Sequence, residues 1–383
     1  MQEKITILDT TLRDGEQTPG VILDRDAKIE IAHSLDGMGV DVIEAGFARA
    51  GQKEFDAIYG VASEVQNSIV CGFGRVNLKD IEVAAKAIAP AHKQRIHTFI
   101  ATSDIHMEYK LKMSPQEVIQ KAIDGVSYAK TFVNDVQFSA EDATRSDMCF
   151  LSEVIDAVIE AGASTINIPD SVGFMDPLEM SEFVKEVSAI TAGRAVLAVH
   201  CHDDFGFATA NSVAAISSGA RQIECAMNGL GERAGNAALE EVAIAIAMKR
   251  RYSNFYTNIV SKKLYETSQL IANRSGVSPQ PNKAIVGMNA FRHESGIHQD
   301  GVLKNRSTYE VIDPEIVGWQ GESIVLGKHS GSHAVKARLS KIGITMQEKE
   351  ITLVCQSVKN YNGVHGMIND HILRSMVSEI KGY

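Results

Sequence analysis

Much that would narrow the role of this chain is missing from it. The five cysteines, Cys71, Cys149, Cys201, Cys225 and Cys355, are odd in number, widely spaced and without a CxxC pair. That excludes a disulfide framework and fits thiols kept reduced inside a cell. No apolar run is long enough to span a bilayer, and Met1-Gln2-Glu3-Lys4 leads straight into strand-like sequence with no signal-peptide core. A cytoplasmic protein with no membrane partner is expected. An excess of positive charge is also missing. The formal net charge of -10 sets the chain against nucleic acid or an anionic surface as its main partner. An anionic substrate would therefore need a local cationic pocket. There is no low-complexity tract, and no GxGxxG follows the first strand-like run.

What is present is ordinary globular material, 44% hydrophobic and 22% charged over 383 residues, enough for a large barrel plus a smaller domain. Short β-rich apolar runs recur at 5–8, 42–47, 69–73, 96–101, 136–139, 165–168, 195–200 and 222–227. Helical periodicity fills the gaps. In 26–38, Ile29, Ala32 and Leu35 share a face. Ser114-Pro115-Gln116-Glu117 reads as an N-cap with Pro at the first helical position and a capping-box Glu, and Asp176-Pro177 opens another helix in the same style. Eight strand–helix units over about 250 residues predict an α/β fold, a (β/α)8 TIM barrel. A doubly wound open sheet is the alternative.

Past about residue 275 the pattern changes. Ser278-Pro279-Gln280-Pro281-Asn282 is a connector. The expected organisation is a barrel over 1–275, a linker and first subdomain over 276–325, and a small helical subdomain over 326–383, packing on the barrel or on another subunit.

The chemistry gathers where strands should end. The first run stops in Asp9-Thr10-Thr11-Leu12-Arg13-Asp14-Gly15, a cation and a carboxylate that are expensive to bury unpartnered. In a closed barrel, strand 8 lies beside strand 1, so strands 7, 8 and 1 are neighbours. His200 and His202 end strand 7, two apart and therefore on one side. Asn236 follows strand 8. Asp14, His200, His202 and Asn236 can thus converge on one divalent ion, with Zn, Mn and Mg all admitted by the donor set. A pair of capped surface histidines is the competing reading of His200 and His202. Arg13 beside such an ion suits an oxyanion or carboxylate, and an ion pair with Asp14 is its structural alternative. Glu141 ends strand 5 and Asp170-Ser171 ends strand 6. His97, inside strand 4, reads as a hydrogen-bonded core histidine. The stretch Gly229-Leu230-Gly231-Glu232-Arg233-Ala234-Gly235-Asn236 is either an anion cradle or simply a tight loop.

Taken together, the stretches 9–17, 44–47, 97–114, 139–147, 167–173, 200–212, 228–241 and 296–304 resemble the 2-isopropylmalate synthase branch of the acyl-CoA-condensing, metal-dependent barrel enzymes. Homocitrate and citramalate synthases and related lyases belong to the same wider group. The resemblance covers nearly the whole chain. It implies that Asp14, His200, His202 and Asn236 hold the metal. It makes Arg13 the stabiliser of the developing oxyanion and sets Glu141 beside the substrate. It places His97 and Ser171 in the substrate pocket, and gives the loop with Gly229 and Gly231 to acetyl-CoA. It also brings in His298 and Tyr309 as residues reaching the partner's site in a domain-swapped homodimer, with His298 a candidate general base. Ser171 stands where the family usually has Thr. The implied reaction condenses acetyl-CoA with 2-oxoisovalerate. A citramalate, homocitrate or methylthioalkylmalate synthase is the alternative within the class, and a metal-dependent carbon–carbon lyase the alternative outside it. Leucine-controlled members carry a C-terminal regulatory domain, which this sequence is expected to lack.

Overall fold

A computed structural model describes residues 2–362 and 368–382. Eight parallel strands close into a barrel: β1 (Thr6–Asp9), β2 (Val42–Glu44), β3 (Ile69–Arg75), β4 (Gln94–Ala101), β5 (Val136–Glu141), β6 (Thr165–Asp170), β7 (Val196–Cys201) and β8 (Gln222–Cys225). Each pairs with its sequence neighbours. Closure comes from β8 on β1, with Thr6 opposite Gln222 and Asp9 opposite Cys225. The (β/α)8 expectation therefore holds and the open sheet does not. Glu141 and Asp170 are the last residues of β5 and β6, where the charged residues at the end of each run are expected. Other strand ends differ from the sequence reading. β2 stops at Glu44, two residues before Gly46, whose φ of 142° takes the chain out of the strand.

The barrel helices follow in register: α1 (Arg25–Met38), α2 (Gln52–Glu64), α3 (Leu78–Ala87), α4 (Pro115–Lys130), α5 (Met148–Glu160), α6 (Pro177–Thr191), α7 (Ala208–Ser218) and α8 (Leu239–Met248). Their starts are written in the sequence. Ser114 and Asp176 each form a capping box, with Glu117 and Glu179 returning a bond to the cap, and Pro opens both helices. Asp24, Asn77 and Asp147 cap three others. The buried face of α1 differs from the expected one. Ala32 and Leu35 are buried with Ile31 and Met38, while Ile29 is only half-buried. The reason is Lys28, fully buried on that face, whose Nζ meets Glu16 (2.7 Å), Glu54 (2.6 Å) and the Leu12 carbonyl (3.1 Å). It ties the loop after β1 to α1 and α2.

Alternation along each strand separates two environments. Ile7, Ile43, Val70, Ile96, Phe138 and Ile223 are buried on the outer face, where the helices cover them. Facing inward, Leu8, Val42 and Cys71 form a small apolar cluster with Ile69 against it. Arg95, Gln137, Gln222 and Glu224 share the remainder of the interior as a hydrogen-bonded group. Two-residue strands Glu3–Lys4 and Phe255–Tyr256 pair outside the barrel.

The chain divides into two compact units, Met1–Ser278 and Pro279–Tyr383. The first ends with α9 (Leu264–Ser275), closed by Gly276 at φ 73°. The second contains α10 (Gly296–Lys304), α11 (Ser332–Lys341), α12 (Glu348–Lys359) and α13 (Asp370–Lys381). Its core, which includes Leu326, Val335, Leu339, Ile351, Val354 and Leu373, joins the last three helices. Among the described residues no helix is long and apolar enough to cross a membrane.

Candidate active site

The C-terminal ends of the strands open into a cavity of about 380 Å³, the position that serves chemistry in barrels of this kind. Its walls include Arg13, Asp14, Phe73, His97, Phe99, Lys110, Ser139, Glu141, Asn167, Ser171, His200, His202 and Arg233.

Asp14 is the hub. Its Oδ2 lies 3.4 Å from His200 Nε2 and 3.9 Å from His202 Nε2, and it accepts a hydrogen bond from Asn236 Nδ2 at 2.6 Å. One donor atom each from Asp14, His200 and His202 fall within 4.8 Å of one another. Burial alone would raise the Asp14 carboxyl, but Arg13, His200 and His202 hold it well below the usual carboxylate range. The two histidines respond oppositely. Burial lowers both, but Asp14 and Glu224 on either side push His200 up to about 9. Burial and the neighbouring His200 hold His202 down to about 3, which favours the neutral ring with one nitrogen free to accept.

Does this set suit a divalent ion? Among the described residues, His202 Nδ1 and Asn236 Oδ1 are buried with no hydrogen-bond partner. Two imidazoles, a carboxylate and unfilled buried acceptors form a mixed N/O donor set with spare capacity, and a cation fits it. Asn236 joins the cluster through its Nδ2, which also donates to the Leu230 carbonyl at 3.1 Å.

Arg13 finds the partner its sequence neighbourhood lacked. Its Nε donates to Glu44 Oε2 at 2.6 Å, its Nη1 lies 3.4 Å from Asp14 Oδ1, and its guanidinium sits 4.3 Å from the centre of the Phe73 ring. Burial alone would lower its pKa, but Glu44 and Asp14 push it higher still. His97 is satisfied on both nitrogens, Nδ1 with Glu44 Oε1 and Nε2 with Ser139 Oγ, each at 2.6 Å. It therefore behaves as the core histidine the sequence suggests while its ring still faces the cavity.

Glu141 Oε1 pairs with Lys110 Nζ at 2.5 Å. Ser171 Oγ accepts from the Asp142 amide at 2.9 Å, and its carbonyl accepts from Arg233 Nη2 at 2.9 Å. Much of the glycine-rich stretch is a tight loop. The amides of Gly229, Leu230, Gly231, Gly235 and Asn236 all donate within the protein, Gly231 to Thr18 Oγ1 at 3.0 Å. Gly231 is required by close approach, since a Cβ there would lie 2.5 Å from Asn236 Nδ2. His298 and Tyr309 belong to the second unit, where their rings stack at 4.1 Å and 30°.

Several cavity residues escaped the sequence reading: Glu44, Glu224, Phe73, Phe99, Lys110 and Arg233. Glu44 and Glu224 carried a usable signal, because each is a carboxylate inside an apolar strand run and must find a partner.

Residues 4–271 match the HMGL-like family model, and 285–365 match the model for the homocitrate synthase post-HMGL domain. The chain is thus an HMGL-like barrel enzyme. A protein named 2-isopropylmalate synthase from Campylobacter concisus is 52% identical over 379 residues, covering 99% of this chain and 75% of that relative. A namesake from Aquifex aeolicus is 48% identical over 380 residues, covering 98% of this chain and 73% of that one. The chain belongs to the 2-isopropylmalate synthase family. Among solved structures, hydroxymethylglutaryl-CoA lyase from Pseudomonas aeruginosa superposes with a TM-score of 0.62 at 18% identity, covering 73% of this chain and 95% of that one. That likeness concerns the fold alone.

Proposed function

We propose that the protein condenses acetyl-CoA with 2-oxoisovalerate and hydrolyses the resulting thioester, releasing 2-isopropylmalate and CoA. A carbon–carbon bond forms between the acetyl methyl and the keto carbon, and water takes the acyl group from sulfur. The observation that carries this reading is the convergence of Asp14, His200 and His202 beside the Glu44-clamped Arg13 in the cavity at the C-terminal end of the barrel. The relatives' names supply the choice of 2-oxo acid.

Asp14, His200 and His202, with Asn236 alongside, would hold a divalent ion, whether Zn, Mn or Mg. When bound, the ion supplies Lewis-acid polarisation of the keto group. Arg13 offers a fixed cation to the oxygen that gains charge. Its Glu44 clamp and its seat on Phe73 mean that little reorganisation is needed during reaction. Phe73 and Phe99 stack at 4.8 Å and give the substrate side chain an apolar wall. His97, Ser139, Glu141 and Ser171 border the same space. Gly229 and Gly231 shape the loop that brings Glu232 and Arg233 to the cavity.

A second cavity of about 650 Å³ shares Phe99, Lys110 and Glu141 with the first and adds Arg75, Lys79 and Lys121. We assign it to the phosphate-bearing half of acetyl-CoA, because it offers the local positive charge that the acidic whole lacks. Removal of the methyl proton is assigned to His298 of the partner subunit, with Tyr309 stacked on it, in a domain-swapped homodimer. Both residues are exposed. The second unit is further read as a linker portion up to 325 and a helical portion from 326, a division supported by the apolar core that begins at Leu326.

The test is direct. Protein, acetyl-CoA and a divalent metal are mixed with one 2-oxo acid at a time, and free CoA thiol is followed. Release with 2-oxoisovalerate, lost in Asp14→Ala, is expected. Release only with pyruvate or 2-oxoglutarate would reject the substrate, and undiminished release by Asp14→Ala would reject the site. Mixing Asp14→Ala with His298→Ala should restore activity neither has alone if subunits share a site.

A further inference from the structure

Below the cavity lies a polar chain that the proposed reaction does not use. Arg95 on β4 is 7% exposed, and Gln137 on β5 and Gln222 and Glu224 on β8 are 0–1% exposed. The Arg95 Nε is anchored on Asp135 Oδ2 at 2.9 Å. Its Nη1 donates twice, to Gln137 Oε1 at 3.1 Å and to Gln222 Oε1 at 2.7 Å. Gln222 Nε2 donates to Gln137 Oε1 at 2.8 Å. With its oxygen engaged by these donors, the Gln137 amide turns its nitrogen up the barrel, where Nε2 donates to Glu224 Oε1 at 2.5 Å. The other oxygen of Glu224 faces His200 Nδ1 at 3.1 Å, and His200 Nε2 faces Asp14.

Every bond in this chain has a direction. A guanidinium has only donors, so it fixes which end of each carboxamide it meets. A carboxylate has only acceptors, so Glu224 requires a proton on His200 Nδ1 and leaves Nε2 for the cavity side. Stability alone does not explain the arrangement. Barrel interiors are ordinarily filled by branched apolar side chains, and replacing a buried polar group of this kind by well-packed apolar residues is often neutral or stabilising. We infer that Arg95 is a positioning residue for His200, acting through the Gln137 and Gln222 carboxamides and the Glu224 carboxylate to present His200 Nε2 toward Asp14. The inference rests on the proposed role of Asp14, His200 and His202 as metal donors.

The experiment measures the affinity of metal-stripped protein for Mn²⁺ or Zn²⁺ alone, by competition with a chromogenic chelator. Arg95→Met should bind about 10–100-fold more weakly than wild type, the range seen when outer partners of metal-ligating histidines are removed. Arg95→Lys, which keeps a cation, should recover part of the loss. Gln137→Leu should show a similar loss and serves if Arg95→Met does not fold. Val42→Ala, in the apolar part of the same interior, should lose thermal stability without losing metal affinity, which separates positioning from general loosening. His200→Ala distinguishes the two levels. If it binds metal like wild type, the donor assignment itself fails. If it loses binding while Arg95→Met and Gln137→Leu stay within about twofold of wild type, the relay is overturned and the donor assignment stands.

Discussion

The barrel interior is two materials in one space. On the side of β1 to β3, Leu8, Val42 and Cys71 pack as an ordinary apolar core. Across β4, β5 and β8, Arg95, Gln137, Gln222 and Glu224 form a buried hydrogen-bonded group leading to His200. Both sides are buried. The apolar side gains stability from area removed from water. The polar side gains little net stability, because each hydrogen bond replaces one to water, and what it provides instead is fixed direction for the groups at the rim. Above both, Glu44 holds Arg13 and His97 from a strand that otherwise belongs to the apolar side.

This division can be broken from either side. The largest effect is expected for Arg13→Met, which removes the cation aimed at the reacting oxygen. The turnover number should fall by about 10²–10³, and the melting temperature should also fall because the buried Glu44 loses its partner, as read by CoA release and calorimetry. A variant that keeps wild-type turnover would remove Arg13 from the chemistry. Leu8→Ala should affect stability alone. It should cost about 2–5 kcal/mol in urea unfolding while the KM for the 2-oxo acid stays put. A rise in KM of the same order would show that the two sides are not independent.

Acid sharpens the comparison. Burial alone would raise the Glu44 carboxyl, but Arg13 and His97 hold it down to about 2, against an ordinary 4.5. A carboxyl depressed in the folded state contributes stability that is present above its unfolded value and disappears as pH falls through its folded one. Wild type should therefore lose stability between about pH 4.5 and 2, and Glu44→Gln should flatten that limb of the urea midpoint against pH. An identical limb in both proteins would mean that Glu44 is not the group being held. The smallest effect is expected outside the barrel interior. Ser114→Ala, which removes a capping box, should cost about 1 kcal/mol and leave the kinetics alone.

The fold was largely legible because its signals are local. Eight apolar runs with capped helices between them need no knowledge of what touches what, and Ser114 and Asp176 announce their helices within four residues. The cluster of Asp14, His200 and His202 was legible for a different reason: closing a barrel makes strands 7, 8 and 1 neighbours whatever their sequences. The glycine-rich stretch was ambiguous because the partners of its amides, such as Thr18 for Gly231, lie elsewhere in the chain. Arg95 and Gln137 were hidden, and Glu44 and Glu224 announced only the need for a partner, because those partners lie far along the chain. Arg95 and Gln222 are 127 positions apart, and no spacing rule connects them. Lys28 was hidden by its type. A lysine on an amphipathic helix is ordinarily solvated, so only the presence of Glu16 and Glu54 makes its burial intelligible.

The reach of the Arg95 network has a consequence for how the chain assembles. The carboxamide of Gln222 and the carboxylate of Glu224 arrive on the last strand, so a barrel lacking β8 would leave Arg95 without its bond to Gln222 and Gln137 without its bond to Glu224. That is an expensive state. Contacts of such sequence separation also form late, because the chain between them must first be ordered. The eighth strand is therefore the lock on the fold. The pairing that completes the cylinder is the same one that brings Glu224 to His200.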